Sequence, residues 1–473
     1  MSVKKIALNT FVSAGARVIG LALSLIFIGL LTRYLGQSGF GQYSTILAFL
    51  YIFIVISDLG LYSICVRDIS RPQADEVKIA STAFSIRMIA GFFVFLTAPL
   101  IALFFPYVFE VKVGILIGSF GFWLMSSQQV LMGIFQKNLR MDKVAIAELA
   151  GRLAQLFFII FVINQDLGFL WVVVAFISGA LVNFLLVFSF AKKYIKLKIN
   201  FDLVYWKGFL KESLPLGVAS ILTMLYFKLD TVMLSVLKDQ ADVGIYGLAY
   251  RILESLLFFP AMFVGLVMPL MSKYVLTDKK KFKKITQKTL DLVLVSAIIL
   301  ITTTWLLSEK IILLISGPDF ILSAEVLNIL IIATGIIFIA VLLSNMIIVL
   351  KKQKSLMYIY GVAALFNVVA NLILIPKYSY YGAALTTVIT EFIVVALMVW
   401  ILFKTLHYLP SFWVVFKCLI AALVSGAVVC LLSGWSLLIL IILSVLIYLG
   451  LIYLLRVFSK EDILMIFKSK ENV

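Results

Sequence analysis

Residues 322–350, LSAEVLNILIIATGIIFIAVLLSNMIIVL, run into the basic turn Lys351-Lys352-Gln353-Lys354. Residues 355–376, SLMYIYGVAALFNVVANLILIP, then lead through a turn holding only Lys377 into a third apolar run at 381–403. Each run can cross a bilayer, which takes about 20 apolar residues. The turns alternate between lysine-rich and lysine-poor, and short basic loops stay on the cytoplasmic side. The stretch reads as three membrane helices, with turn 351–354 inside and the turn at Lys377 outside.

The same alternation extends over the whole chain. Apolar runs of spanning length lie near 9–32, 41–66, 79–104, 112–135, 144–163, 168–190, 213–237, 243–271, 289–307, 322–350, 355–376, 381–403, 411–432 and 436–456. The weakest are 112–135, with its Gly and Ser content, and 289–307, which begins beside Asp291. Of the 40 Lys and Arg residues, 29 fall in one alternate set of connections and 5 in the other. That ratio predicts an even number of spans, both termini in the cytoplasm, and a cytoplasmic-membrane location.

Composition excludes several function classes. The chain is 63% hydrophobic and 13% charged, far from the balance of a water-soluble domain. Its net charge of +17 sits mostly in the basic connections, so topology explains it without nucleic acid. The lysine-rich stretch 279–288 also has the chemistry to meet anionic lipid headgroups. Cys65, Cys418 and Cys430 are odd in number and lack metal-ligand spacing, and the single histidine, His407, has no Cys or acidic cluster around it. No Walker A pattern appears, and the N-terminus reads as a span, not a cleaved signal. Connections below about 25 residues leave no room for a soluble catalytic domain, so the chain reads as a carrier and not an enzyme.

An internal repeat organises the spans. Leu35-Gly36-Gln37-Ser38-Gly39-Phe40-Gly41-Gln42-Tyr43 joins spans 1 and 2. Leu237-Lys238-Asp239-Gln240-Ala241-Asp242-Val243-Gly244-Ile245-Tyr246 joins spans 7 and 8, with the same Gly-x-Tyr. Gly168-Phe169-Leu170 and Tyr381-Gly382-Ala383 likewise open spans 6 and 12. The expected architecture is all-α: a six-helix bundle over 1–198, a second over 199–405, a cavity between them, and two appended helices in 406–473. Parallel repeats of this kind rock about a shared site.

At these residues the chain resembles the polysaccharide transporters of the multidrug/oligosaccharidyl-lipid/polysaccharide superfamily, which includes O-antigen flippases. The resemblance covers essentially all fourteen spans. Its most specific stretch runs from Lys228-Leu229-Asp230-Thr231-Val232-Met233-Leu234 through Val243-Gly244-Ile245-Tyr246 and Ala249-Tyr250-Arg251-Ile252-Leu253-Glu254 to Pro260 and Met268-Pro269-Leu270. Asp58-Leu59-Gly60-Leu61, followed by Arg67, is a second match. The resemblance implies outward movement of polyprenyl-pyrophosphate-linked sugars by alternating access.

Ionisable groups at membrane depth are costly and usually face a cavity or a partner. Arg17, Arg87 and Arg152 lie 8–9 residues into spans 1, 3 and 5, roughly 12 Å deep at 1.5 Å per residue. Three guanidiniums at one depth suit a pyrophosphate, because each offers a planar fork of donors. Arg17-Val18-Ile19-Gly20 also resembles the first-span arginine setting of lipid II flippases. The other readings are snorkelling of Arg17 and Arg87 to the interface, and pairing of Arg152 with Glu148 one turn earlier. Lys228 and Arg251 are further substrate-binding candidates, although Glu254 is placed to neutralise Arg251 at i, i+3.

Coupling candidates are oxygen-bearing. Asp230 cannot share a helix face with Lys228 two residues away. Asn367 and Asn371 share one face of span 11, and Thr387 lies two turns into span 12. These hard oxygen donors suit sodium better than a transition metal, and similar positions form a sodium site in the lipid II flippases that the chain resembles here. Asn371 stands where some of them carry Asp, and an interhelical polar network is the alternative. Glu391, near the middle of span 12, is a candidate proton carrier or a neutral hydrogen-bonded acid. Asp58 reads as a packing or loop contact.

The function expected is a flippase for a polyprenyl-pyrophosphate-linked oligosaccharide, driven by membrane potential or by a Na+ or H+ gradient. Its partners would be membrane lipid and polysaccharide-assembly proteins. Export of lipid II or of a drug is the nearest rival, and a membrane glycosyltransferase or polymerase the rival of another class.

Overall fold

The computed structural model describes residues 3–71, 74–138 and 140–457, with the side chain of Arg17 outside the described set. Among the described residues the chain is built from helices without strands. In chain order these are α1 (Val3–Asp58), α2 (Leu61–Ile69), α3 (Glu76–Ala102), α4 (Phe109–Lys137), α5 (Met141–Asn164), α6 (Phe169–Ala191) and α7 (Leu203–Leu237). There follow α8 (Gln240–Leu256), α9 (Phe258–Thr277), α10 (Lys279–Ser316), α11 (Leu322–Val349), α12 (Gln353–Leu406), α13 (Val414–Leu431) and α14 (Leu437–Leu454).

Helices and spans do not correspond one to one. Eleven helical segments among the described residues are long and apolar enough to cross a membrane. Two of them hold two spans each. α1 bends at Gly36 (φ 64°) between spans 1 and 2, and α12 bends at Ser379 (φ 47°), three residues after Pro376. α7, at 35 residues, completes the fourteen. Conversely, span 2 divides into the end of α1 and α2 at Leu59 (φ 45°) and Gly60 (φ 76°), both left-handed. Span 8 divides at Leu257, because Pro260 removes the N–H that would bond back to Leu256.

By backbone contact the chain forms two compact units, Met1–Gly244 and Ile245–Val473. α7, which the repeat assigns to the second bundle, packs on α1, α2 and α3 within the first unit. The first unit's core joins Leu61, Phe84, Leu131, Phe135 and Ala147 of α2 to α5. The second unit's core joins Val264, Leu294, Phe338, Met346 and Met398 of α9 to α12. α13 and α14 pack on α10, where the Tyr448 hydroxyl donates to the Val295 carbonyl at 3.1 Å.

The two weak spans form full-length helices for visible reasons. Gly114, Gly118 and Gly121 of α4 recur near every turn and admit Ile46, Leu50 and Phe176, so a Cβ on Gly114 would fall 2.3 Å from Ile46 Cδ1. The residues that dilute the apolar signal are those that allow close packing. α10 begins ten residues before its apolar run, because the Asp278 carboxylate caps it by accepting from the Lys280 and Lys281 amides at 3.0 Å.

Asp202 caps α7 in the same way, accepting from Tyr205 N at 3.0 Å. The backbone donor lying on each carboxylate holds both acids below the usual aspartate range. A depressed folded pKa stabilises above the unfolded value near 3.9 and is lost as pH falls through the folded one. The Asp202→Ala/Asp278→Ala variant is therefore expected to melt below wild type at neutral pH, with the gap closing under strongly acidic conditions. A constant gap across thermal melts at different pH would contradict charged caps.

Candidate functional site

Arg87 is fully buried in the first unit. Its Nη1 donates to Asp58 Oδ1 at 2.6 Å, its Nε to the Ser126 carbonyl at 2.9 Å, and its Nη2 to Gln129 Oε1 at 2.7 Å. Asp58 also accepts from the Tyr62 amide at 3.4 Å, in the first turn of α2. The Ser57 and Ser126 hydroxyls lie 2.7 Å apart beside it. The guanidinium thus ties the α1–α2 break to α3 and α4. This differs from the expectation of an arginine open to an anion, because an acid and two further acceptors within the bundle engage all its nitrogens. Gly217 of α7 abuts the same break, where a Cβ would fall 2.5 Å from Leu59 Cα.

Arg152 is exposed and reaches from α5 to α1. Its Nη1 donates to the Gly20 carbonyl at 3.0 Å and to the Ser24 hydroxyl. Gly20 permits this approach, since a Cβ there would lie 3.2 Å from Arg152 Nε. The guanidinium lies against the turn that follows Arg17 in sequence. Lys228 is buried on α7, its ammonium 4.8 Å from the centre of the Tyr51 ring. Asp230, two residues on, is 1% exposed.

α1 also meets the start of α8 within this unit. A Cβ on Gly41 would fall 1.7 Å from the Gln240 carbonyl oxygen, and one on Gly244 would fall 2.1 Å from that of Gln37. The contact is reciprocal: each glycine opposes the carbonyl four residues before the other. Thr45 adds a hydrogen bond to Gln240 Oε1 at 2.9 Å.

In the second unit Arg251 and Glu254 form the i, i+3 pair at 3.2 Å. α12 carries a buried polar face on both of its arms. On the first, Asn371 Nδ2 donates to Asn367 Oδ1 at 3.1 Å. On the second, Thr387 Oγ1 lies 3.3 Å from the Tyr246 hydroxyl, and Thr390 and Glu391 follow, each 1% exposed. The arms fold back closely, since a Cβ on Gly382 would fall 2.4 Å from the Leu374 carbonyl oxygen. These are hard oxygen donors of the kind a sodium ion takes. Asp230 belongs to the first unit, and the other three proposed ligands to the second. Among the described residues no three His, Cys, Asp or Glu side chains cluster as a metal site.

Sequence reasoning missed Gln129, Tyr51, Ser24 and Tyr246 as partners. Gln128-Gln129, two amides inside an apolar span, was the visible signal for the first of these.

The family of polysaccharide biosynthesis proteins matches residues 6–275, and the MatE family matches residues 215–373. The chain belongs to the polysaccharide biosynthesis protein family, and is a flippase-type transporter of the multidrug/oligosaccharidyl-lipid/polysaccharide superfamily. It is 26% identical over 277 residues to the capsular polysaccharide biosynthesis protein CapF of Staphylococcus aureus, which covers 56% of this chain and 68% of that protein. Its fold is similar to that of the lipid II flippase MurJ in an inward closed conformation, with a TM-score of 0.76 at 19% identity, over 95% of this chain and 99% of that one. An inward-facing multidrug-resistance MATE transporter matches with a TM-score of 0.66 at 12% identity, over 84% and 98%. The two solved structures are transporters, and this chain is a multi-pass membrane transporter and not an enzyme.

Proposed function

We propose that the protein carries a polyprenyl-pyrophosphate-linked oligosaccharide outward across the cytoplasmic membrane by alternating access, with both termini in the cytoplasm. The observation that carries this reading is the exposed Arg152 guanidinium beside the Arg17–Gly20 turn of a chain in the polysaccharide family. Guanidiniums here would hold the pyrophosphate while the sugar is sheltered and the polyprenyl tail stays in lipid. Lys228 and Arg251 would add positive potential. Arg87 would act indirectly, by setting the helix break on which α7 rests.

In proteoliposomes loaded with a labelled lipid-linked oligosaccharide, the wild-type chain should expose the sugar to an impermeant reagent. The Arg17→Ala/Arg152→Ala variant should lose at least about tenfold in rate, the scale of losing charge-assisted contacts of 1.5–3 kcal/mol. An unchanged rate would remove the clamp. Faster movement of lipid II in the same vesicles would favour that substrate instead.

The coupling ion is proposed to act at the buried carboxylates, Asp230 or Glu391, with Asn367, Asn371 and Thr387 as neutral oxygen donors. Asp230→Asn should abolish stimulation by a sodium gradient if sodium is coupled there. Glu391→Gln should abolish stimulation by a proton gradient if protons are. Retention of both responses in both variants would eliminate these carboxylates as couplers.

A further inference from the structure

Ion pairing is uneven along the basic connections of the chain. In the first unit several basic side chains meet acids: Arg71 lies 3.4 Å from Asp68, Lys78 3.4 Å from Asp202, and Arg140 2.9 Å from Asp142, whereas the lysines of 192–211 enter no ion pair among the described residues. In the second unit Lys279, Lys280, Lys281, Lys283 and Lys284 crowd the first two turns of α10, all exposed. Asp278 is the one acid in the sequence between Glu254 and Asp291. Its carboxylate is taken by the helix cap and by Lys281 at 3.6 Å. Lys279, Lys280, Lys283 and Lys284 enter no ion pair among the described residues.

Below this charge lies an aromatic layer. The Lys283 ammonium sits 4.5 Å from the Tyr408 ring centre, in the connection between α12 and α13. Gln287 of α10 fastens that connection, donating to the Ser411 carbonyl at 2.8 Å and accepting from its amide at 2.6 Å. The connection ends in Trp413, 67% exposed, which opens onto the exposed apolar face of α13. Positive charge, then aromatic rings, then apolar surface is the order of chemistry across a leaflet, from anionic headgroup to acyl chain.

We propose that this shelf binds the headgroups of anionic phospholipids in the cytoplasmic leaflet. The reading rests on the orientation proposed above, but its test needs no transport, so the two fail separately. Charge complementarity selects the occupant: four lysines without carboxylate partners face a surface whose lipids carry phosphate, and the exposed aromatic ring is placed for the interface beneath it. The fixed connection makes this a shaped surface and not a loose basic tail.

The test uses the full chain in nanodiscs of mixed phosphatidylcholine and phosphatidylglycerol, with retained lipid counted after mild detergent extraction. Wild type should retain phosphatidylglycerol preferentially, and high salt should weaken that preference. The Lys279→Gln/Lys280→Gln/Lys283→Gln/Lys284→Gln variant should lose at least about tenfold in phosphatidylglycerol retention, well within the effect of four interfacial charges. Its melting point in pure phosphatidylcholine should be unchanged, and the four Lys→Arg changes should keep the preference. Retention by the Gln variant equal to wild type would overturn the proposal. So would unchanged lipid retention together with loss of a co-purifying acidic protein, which would assign the shelf to that partner.

Discussion

The Asp58→Asn variant is expected to be less stable than wild type by about 3–5 kcal/mol, the usual cost of removing one partner from a buried ion pair. Arg87 has no solvent exposure, and a guanidinium cannot shed its charge by losing a proton. The Asn amide oxygen can still accept from Nη1, as Ser126 and Gln129 accept from Nε and Nη2, but no negative charge would then compensate the buried guanidinium. The Tyr62 amide can keep its acceptor in the Asn amide oxygen, so the loss isolates the charge. Replacing both partners, as Asp58→Asn/Arg87→Met, should recover much of the loss, since no buried charge remains. Denaturant titration in a fixed detergent checks both. A single variant as stable as wild type would mean that Asp58 does not neutralise Arg87.

The second large effect is expected at the glycine contact. Gly41→Ala places a methyl where 1.7 Å separates it from the Gln240 carbonyl oxygen, so the two helix backbones must move apart. Overpacking costs about 1–3 kcal/mol when side chains can yield, and backbone atoms yield least, so the upper end is expected. Gly244→Ala should cost a similar amount, because its methyl would meet the Gln37 carbonyl in the same contact. Once one methyl has separated the helices, the second meets less resistance. The double variant should therefore cost less than the sum of the two singles, as expected for residues sharing a contact. Strict additivity in thermal melts would show that the two glycines act independently.

Much of the fold was legible, because bilayer thickness and charge asymmetry constrain a membrane chain strongly. The fourteen runs match the helices closely, including the two that composition made weakest. Helix breaks were harder to see. Gly36 and Ser379 bend continuous helices where loops were expected, and Leu59-Gly60 and Leu257 divide runs that read as unbroken. Hydropathy averages over a span and does not report a single residue's backbone angles. Pro260, and Pro376 ahead of the Ser379 bend, announced a break by residue type.

Site residues were legible as costly groups at membrane depth, but their partners were not. Arg17, Arg87 and Arg152 look alike in sequence, at one depth in successive odd spans. The structure separates Arg87, engaged by Asp58, Ser126 and Gln129, from Arg152, exposed against Gly20 and Ser24. That difference depends on which neighbouring helix supplies an acid, and a one-dimensional pattern does not contain it. Arg251–Glu254 and Asn367–Asn371 were predictable, because one helix brings each pair together.

The most direct test of the account is the sidedness of lipid-linked sugar in cells depleted of this protein, read with a membrane-impermeant reagent. The predicted result is normal synthesis with sugar-lipid accumulating out of the reagent's reach. Wild type should restore its exposure, and the Arg17→Ala/Arg152→Ala variant should not. Undiminished exposure in depleted cells that have no second transporter of this family would contradict the account.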